Sequence, residues 1–247
     1  MEFEKVFIEK GVFFWTWRDL SFMPYAWLDE KDLKTLPKPF LLEEIDPKCK
    51  IGHESEGKEA TTNIIELPSH FEQLNLKPSL RKDLRRVEKK NADTSIVLNE
   101  ENALENSEQW FLELWGEEKS DFERRLSLWK EKAYTLSLYC GGELLGVHIA
   151  MEENESVYYL GCWWNRKHKD RSVPTYLLKK DIERAIQNGK KYYDLEVGSE
   201  SYKKNWGVIE KQTKYYAVMT KSLAKMLGIK KFVEMNDDKA ETKKLKQ

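Results

Sequence analysis

The segment from Tyr134 to Trp206 constrains the fold of this chain more than any other part of it. Three apolar runs, Y-T-L-S-L-Y-C, E-L-L-G-V-H-I-A-M and S-V-Y-Y-L-G-C-W-W, are separated only by Gly141-Gly142 and by E-E-N-E at 152–155. Gly-Gly is a two-residue hairpin loop that tolerates positive φ. The runs therefore predict consecutive antiparallel strands over 134–140, 144–151 and 156–164.

A helix and a fourth strand follow these three strands. The helix is predicted from about Pro174, a good first helical position, to Asn188, with Gly189 as its stop. Y-Y-D-L-E-V then has the pattern of a strand. One helix crossing between strands of an otherwise antiparallel set predicts a mixed α/β sheet that is mostly antiparallel and flanked by helices.

The preceding sequence predicts a strand and a basic helix. N-I-I-E-L-P reads as a short strand that Pro68 ends. From Pro78 onward, apolar residues recur at helical spacing, and basic residues cover the rest of the helix: Arg81, Arg85, Arg86, Lys89 and Lys90. This stripe is either a solvated helix face or a surface that meets an anionic substrate or cofactor.

Composition excludes several classes of protein. The 247 residues carry 42 basic and 43 acidic side chains, a net charge of −1, whereas a general nucleic-acid coat would be basic. The N-terminus lacks a signal-peptide core, and no run approaches the roughly 18 apolar residues of a membrane span. The cysteines, Cys49, Cys140 and Cys162, lack zinc-ligand spacing. We expect a cytoplasmic protein without a bound metal.

Three stretches of the chain together resemble a known family. They are the strand and Arg-rich helix at 63–90, the hairpin L-Y-C-G-G-E-L-L-G-V-H-I-A, and the closing motif N-G-K-K-Y-Y-D-L-E-V-G-S-E-S-Y-K-K-N-W-G. The order of elements is similar to the acetyltransferase (GNAT) fold. The details resemble its cellulose-biosynthesis acetyltransferase-like branch, which is related to the Fem-type peptidoglycan aminoacyl transferases.

The resemblance implies a domain layout. It spans about residues 63–220, and members of this branch usually carry two tandem units. We therefore expect an aromatic-rich, truncated first unit at 1–70, an acyltransferase domain at 71–228 and a charged tail at 229–247.

The start of the predicted crossing helix is the expected site for the acyl donor. Free N–H groups and the helix dipole at such a terminus suit an anion, here the pyrophosphate of acetyl-CoA or another acyl-CoA. The candidate donor-binding residues are Trp163, Lys169, Arg171, Ser172 and Thr175. Ser172 has a second reading as a simple helix cap.

The closing strand carries the expected catalytic groups. Strand alternation predicts that Asp194 and Glu196 share one face, and acyl transfer to an amine needs a base. Glu196 is the preferred base and Asp194 its structural or orienting partner, although both acids are equally well explained by pairing with Lys203, Lys204 or Arg184. His148 is a further candidate base, and a satisfied core residue otherwise.

The acceptor site has three candidates. By resemblance, Tyr202 and Lys203 contact the acceptor or the donor phosphate, and Arg85 of the basic helix is counted with them.

Three functions remain open at this level. The first is an N-acyltransferase that moves an acyl group from acyl-CoA to an amine of a small molecule or amino sugar. The second is a Fem-type transferase that uses aminoacyl-tRNA, for which the basic helix would help to hold RNA. The third is a non-catalytic binding protein on an acetyltransferase scaffold, which the lack of glycines in K-H-K-D-R-S-V-P-T-Y supports.

Overall fold

A computed structural model describes residues 3–8, 12–17, 40–45, 59–115, 119, 122–123, 126, 130, 133–153, 155–197 and 200–218. The predicted tail at 229–247, Cys49 and much of the predicted segment at 1–70 lie outside these residues. The described residues fall into two compact units, divided at Thr62/Asn63 and at Glu210/Lys211.

The helices and strands have the following bounds. The strands are β1 (Phe3–Ile8), β2 (Val12–Trp17), β3 (Phe40–Ile45), β4 (Glu59–Glu66), β5 (Thr94–Leu98), β6 (Tyr134–Cys140), β7 (Glu143–Glu153), β8 (Ser156–Trp164), β9 (Tyr192–Val197) and β10 (Ile209–Val218). The helices are α1 (Pro78–Lys90), α2 (Ala103–Asn106), α3 (Glu108–Trp115) and α4 (Val173–Gln187). Short 3₁₀ segments lie at Phe71–Gln73, Arg166–Arg171 and Lys203–Trp206.

In the first unit, β1 and β2 form an antiparallel pair. β2 meets β3 in parallel where Trp15 faces Phe40, and β3 pairs antiparallel with β10.

In the second unit, the described strands run in the order β4-β9-β8-β7-β6-β5. β5 through β8 are antiparallel neighbours, and β8 and β9 are parallel. The parallel pair needs a crossover, which α4 provides. The predicted mixed, mostly antiparallel sheet with helices is therefore confirmed, including the consecutive pairing of the three runs at 134–164.

Turn chemistry fixes the positions where these elements end. Gly141 and Gly142 have φ values of 57° and 85°, as the two-residue hairpin loop requires. Gly189 has a φ of 71° just after α4, where a glycine commonly ends a helix.

Apolar side chains pack helices against both faces of the sheet. On one face, Leu84 of α1 and Ile182 and Ala185 of α4 share a buried cluster with Tyr193 of β9. A neighbouring cluster joins Val173 and Leu177 of α4 to the β6–β8 strands. On the other face, the Trp163 ring lies 5.3 Å from that of Phe111 in α3. Burying both faces explains why the strands read as almost continuous apolar runs.

Candidate active site

The two parallel strands of the second unit separate along their length. β8 pairs with β9 only from Ser156↔Tyr192 to Tyr158↔Asp194. Beyond Tyr158 the ladder between them ends although both strands continue. The result is a fork whose apex lies between Tyr159 and Leu195.

An irregularity in β8 lies just past this apex. Its register against β7 shifts between Ile149↔Gly161 and Ala150↔Tyr159, so Leu160 is the extra residue of a β-bulge. Gly161 has a φ of 155°, and a Cβ there would lie 3.1 Å from the Trp163 ring. Bulges locally bend a strand and re-aim its side chains, and this one lies directly after the point where β8 stops pairing with β9.

A cavity of about 680 Å³ opens at the fork. Its walls come from α1, β8, the start of α4, β9 and the 3₁₀ segment at 203–206. The residues used below are Arg86 of α1, Tyr159 and Cys162 of β8, Ser172 and Thr175 at α4, Leu195 and Glu196 of β9, and Glu200, Tyr202 and Lys203. This volume is in the range of sites that hold a small molecule or a cofactor.

The start of α4 forms one end of the cavity. Ser172 occupies the N-cap position with a φ of 53°, and its side chain makes no capping bond. Pro174 has no N–H, and the first N–H groups of a helix have no partner within it. Ser172 and Thr175, two of the residues predicted to bind the donor, line the cavity, and no described side chain caps this helix start.

Close packing holds this helix start against β7. A Cβ at Gly146 would lie 2.6 Å from Cγ1 of Val173 and 2.9 Å from Cβ of Trp164. Glycine at this position therefore lets the first turn of α4 approach the strand.

Glu196 lies in the opposite wall in an unusual backbone conformation. Its φ is 62°, in the left-handed region that costs a non-glycine residue roughly 1–2 kcal/mol. Three hydrogen bonds hold it there. Asp194 Oδ1 accepts from the Glu196 N–H at 2.8 Å, while Asn63 Nδ2 and Lys203 Nζ donate to its carbonyl oxygen at 3.0 and 3.2 Å. The structure thus over-determines a strained residue at the edge of a cavity, a pattern that clusters at functional sites.

The predicted acceptor residues lie next to Glu196. Lys203 is buried, 4 % exposed, and its Nζ is 3.0 Å from Oε2 of Glu200. Tyr202 is 39 % exposed, and burial of its hydroxyl together with the charges of Glu200 and Glu196 raises the pKa of this phenol. Of the cations offered as partners for the two acids, Lys204 pairs with Glu210 and Arg184 with Glu152.

His148 lies away from the cavity, in a buried group of polar side chains that we call the Asp181 network. Nε2 of His148 is 3.0 Å from Oδ2 of Asp181 and 3.1 Å from the Tyr193 hydroxyl. The hydroxyls of Tyr134 and Tyr193 donate to the same carboxylate at 2.8 and 2.6 Å. This arrangement agrees with the interpretation of His148 as a buried core residue whose ring is hydrogen-bonded.

Electrostatics keep Asp181 ionised despite its burial. Burial alone raises the pKa of a carboxyl group, but hydrogen bonding and electrostatic interaction with His148, and the Tyr193 and Tyr134 donors, lower the pKa of Asp181 below its ordinary value. Arg184 adds a positive charge 3.7 Å from Oδ1. The network ties α4 to β6, β7 and β9, and of these β9 forms one side of the fork.

Four other predicted residues are not among the cavity-lining side chains. Arg171 binds Asp93 through both nitrogens at 2.6 and 2.9 Å and donates to the Lys90 carbonyl, so it joins the start of α4 to the end of α1. Trp163 is buried and donates to Ser107 at 2.6 Å. Lys169 and Arg85 are exposed on the surface.

Sequence reasoning did not single out Tyr159, Glu200 or Asp181, and it named Arg86 only as one of five residues of the basic helix stripe. The glycine inside the third apolar run was the available signal for Tyr159, because a glycine in a strand interior often marks a bulge. Arg86 and Asp181 follow helical spacing like their neighbours, so no sequence pattern separates them from ordinary helix residues.

Among the described residues, no helix has the length and apolar character of a membrane span. Among the same residues, no group of three or more His, Cys, Asp or Glu side chains could hold a metal ion.

Comparison with protein families gives one match. The sequence profile of a family described as an acetyltransferase (GNAT) domain matches residues 78–204, slightly more than half of the 247 residues. The match covers α1, the fork, the start of α4 and the segment that carries Lys203. Among curated proteins, none matches the sequence significantly.

Several solved structures share the fold at low sequence identity. A crystal structure of FemX gives a TM-score of 0.66 at 10 % identity, over 91 % of this chain and 85 % of that chain. The structure of L-PGS from Bacillus licheniformis gives a TM-score of 0.55 at 13 % identity, over 78 % of this chain and 72 % of that chain. The C-terminal domain of a putative lysylphosphatidylglycerol synthetase from Agrobacterium fabrum gives a TM-score of 0.54 at 10 % identity, over 78 % of this chain and 72 % of that chain. The resemblance to a Fem-related GNAT fold is confirmed.

Proposed function

Because this chain belongs to the acetyltransferase (GNAT) domain family and is thus an acyltransferase, we propose that it transfers an acyl group from acyl-CoA to an amine. The acceptor is an amine of a small molecule or an amino sugar. The observation that carries the proposal is the fork between β8 and β9, whose cavity runs from the start of α4 to Glu196. We place the activity in the cytoplasm, as the sequence predicts.

The start of α4 is the donor end of the cavity in this proposal. The pyrophosphate of acyl-CoA would lie against the N–H groups of the first turn, near Ser172 and Thr175, where the helix dipole favours an anion. Arg171 supports this end indirectly, because its ion pair with Asp93 fixes the residue that precedes the N-cap. Lys169 remains available on the surface for the other phosphates of the donor.

The acceptor end is the part of the wall formed by Glu196, Tyr202 and Lys203. A neutral amine attacks the carbonyl carbon, and Glu196 takes the proton that the nitrogen loses. As the C–S bond breaks, the thiolate leaves and takes a proton from solvent, and Glu196 then releases the amine proton to solvent, so that the products are an amide and a thiol. Asp194 acts through Glu196 by holding its backbone N–H.

Amine-dependent release of thiol from acetyl-CoA tests this proposal. Wild-type protein should release thiol with at least one member of a panel of amines and amino sugars. Glu196→Gln should bind the donor normally and lose about 10²–10⁴ in rate, the usual contribution of a general base. Glu155→Gln, a change on the exposed Glu155–Lys191 pair, which does not line the cavity, should leave the fold unchanged and serves as a folding control.

The outcome that counts against this assignment is equally specific. If Glu196→Gln retains full turnover while Asp194→Asn or His148→Gln abolishes it, the base lies elsewhere. If none of these three substitutions has an effect and no acyl donor binds, the hypothesis of a non-catalytic binding protein on an acetyltransferase scaffold is correct.

A second candidate function is transfer from aminoacyl-tRNA, and the surface next to the donor end favours it. Lys90 donates to the Asp170 carbonyl and Arg171 to that of Lys90, so α1 adjoins the 3₁₀ segment at 166–171. The two elements bring together Arg85, Lys89, Lys90, Arg166, Lys167 and Lys169, which are all exposed. Charged tRNA that competes with CoA, with a steep dependence on salt, would support this candidate over the first.

A further inference from the structure

The phenol of Tyr159 occupies the apex of the fork. Tyr159 is the first residue of β8 beyond the ladder with β9 and the last before the bulge at Leu160–Gly161. It lines the cavity together with Leu195 and Glu196 of the opposing strand. Because Glu196 follows Leu195 on the opposing strand, an acyl group bound between the strands at Glu196 would lie next to Tyr159.

The ring of Tyr159 is packed against its neighbours, whereas its hydroxyl has no hydrogen-bond partner among the described residues. The ring packs against both buried clusters of the helix-covered face and lies 5.2 Å from the His148 ring. The hydroxyl makes no hydrogen bond to any of the residues that the structure describes. Buried or half-buried tyrosine hydroxyls usually find a partner, so this donor is available to a ligand.

The surroundings keep the hydroxyl protonated. Burial raises the pKa of Tyr159 well above its ordinary value, and Cys162, Tyr202, Glu196 and Glu200 raise it further. A phenol with such a pKa donates a hydrogen bond readily but gives up its proton poorly. A departing thiolate, with an ordinary thiol pKa of about 8.5, would be a weak competitor for that proton.

From this geometry we propose that the Tyr159 hydroxyl donates a hydrogen bond to the carbonyl oxygen of the bound acyl group and to the oxyanion formed from it. When the amine nitrogen bonds to the carbonyl carbon, the π electron pair moves to oxygen, where the hydroxyl stabilises it. When the C–S bond breaks, the pair returns to restore the carbonyl. Tyr159 keeps its proton throughout, and the amine proton goes to Glu196. This inference rests on the acyl-CoA donor proposed above.

Two donor analogues isolate the carbonyl contact from turnover. The analogue of acetyl-CoA in which a methylene replaces the thioester sulfur carries a ketone at the acyl position, whereas its deoxo form has a methylene in place of that carbonyl. Calorimetric titration gives the ratio of their affinities for wild type, Tyr159→Phe and Tyr139→Phe. Tyr139 bonds to Glu100 and is not among the cavity-lining residues, so it controls for the loss of a phenol hydroxyl.

Wild type should prefer the ketone, and Tyr159→Phe should reduce that preference by roughly two- to tenfold, the value of one hydrogen bond. Tyr139→Phe should keep the wild-type ratio. Because the Tyr159 hydroxyl has no described partner in the fold, the melting temperature of Tyr159→Phe should equal that of wild type, which separates this role from a structural one.

Three results would overturn the inference. If both analogues bind and the ratio is the same in wild type and Tyr159→Phe, the hydroxyl does not contact the carbonyl, while the acyl-CoA donor stands. If wild type shows no preference for the ketone, the conclusion is the same. If neither analogue binds wild type, the donor class is wrong and the inference falls with it.

Discussion

At the scale of single residues, Glu196 combines strain with a position in the cavity wall. Its left-handed backbone is held by bonds to its own N–H and carbonyl oxygen, from Asp194, Asn63 and Lys203. These bonds use backbone atoms of Glu196 and do not require a carboxylate. A glutamate at a position where glycine fits best is consistent with the role of base that we propose for it.

Replacing Glu196 by glycine separates function from stability. Glycine adopts the left-handed region without steric cost, but it loses more backbone entropy on folding, by roughly 0.5–1 kcal/mol. The free energy of unfolding of Glu196→Gly should thus stay within about 1 kcal/mol of wild type, as measured by urea denaturation, while acyl transfer is lost.

Glu196→Val is the matched contrast, since a β-branched residue is disfavoured at positive φ and should be clearly less stable. If Glu196→Gly were more than about 2 kcal/mol less stable than wild type, the carboxylate would be a structural group.

The residue scale also shows where sequence alternation fails. Alternation predicted that Asp194 and Glu196 share one strand face. The left-handed φ of Glu196 breaks the period of two at that residue, and the bond between the two acids runs from side chain to backbone. Because a positive φ at a non-glycine residue is decided by long-range bonds such as that from Asn63, no local pattern could predict it.

At the scale of helices and strands, the Asp181 network joins α4, whose start lines the cavity, to β9, one of the two strands of the fork. Asp181 of α4 accepts hydrogen bonds from Tyr134 of β6 and Tyr193 of β9, and His148 of β7 lies within hydrogen-bond distance. Tyr193 immediately precedes Asp194, the last β9 residue in the ladder with β8. The network therefore sets how α4 and β9 lie against each other.

Asp181→Asn should lower the free energy of unfolding by about 3 kcal/mol at neutral pH. The reason is that the buried hydroxyls of Tyr134 and Tyr193 then meet a neutral amide in place of a carboxylate. The pKa of Asp181 is lowered in the folded state, so its contribution is complete above the unfolded pKa of about 3.9 and is lost as pH falls through the folded pKa.

Denaturation of wild type and Asp181→Asn over a pH series measures this difference. Their stabilities should converge below about pH 4. Glu155→Gln, which removes an exposed ion pair with Lys191, should change stability by no more than about 1 kcal/mol and serves as the control. A constant gap between wild type and Asp181→Asn at all pH values would show that Asp181 acts through packing and not through its charge.

At the scale of the whole molecule, strand order was predictable and the cavity was not. Hairpin turns, helix caps and apolar runs are local signals, so β6 to β9 and α4 followed from the sequence. The cavity depends on where β8 stops pairing with β9 and on which side of α1 faces the fork. These are tertiary properties, which is why Tyr159 was missed and Arg86 was not distinguished from the rest of the basic stripe. Ser172 and Thr175 could be proposed from the sequence because they belong to a helix start.

The central claim of this account is that the start of α4 binds the acyl donor. Placing a negative charge at Thr175 and measuring the affinity for CoA tests this claim most directly. A glutamate in the first turn of a helix is favourable for the helix itself but repels a phosphate group bound there. Thr175→Gln has nearly the same size and no charge. Calorimetric titration of CoA into wild type, Thr175→Gln and Thr175→Glu measures the effect.

We predict that CoA binds wild type and Thr175→Gln with similar affinity and binds Thr175→Glu at least tenfold more weakly, with no loss of thermal stability in Thr175→Glu. Equal affinity of CoA for all three proteins, or no binding to wild type, would contradict the assignment of this helix start as the donor site.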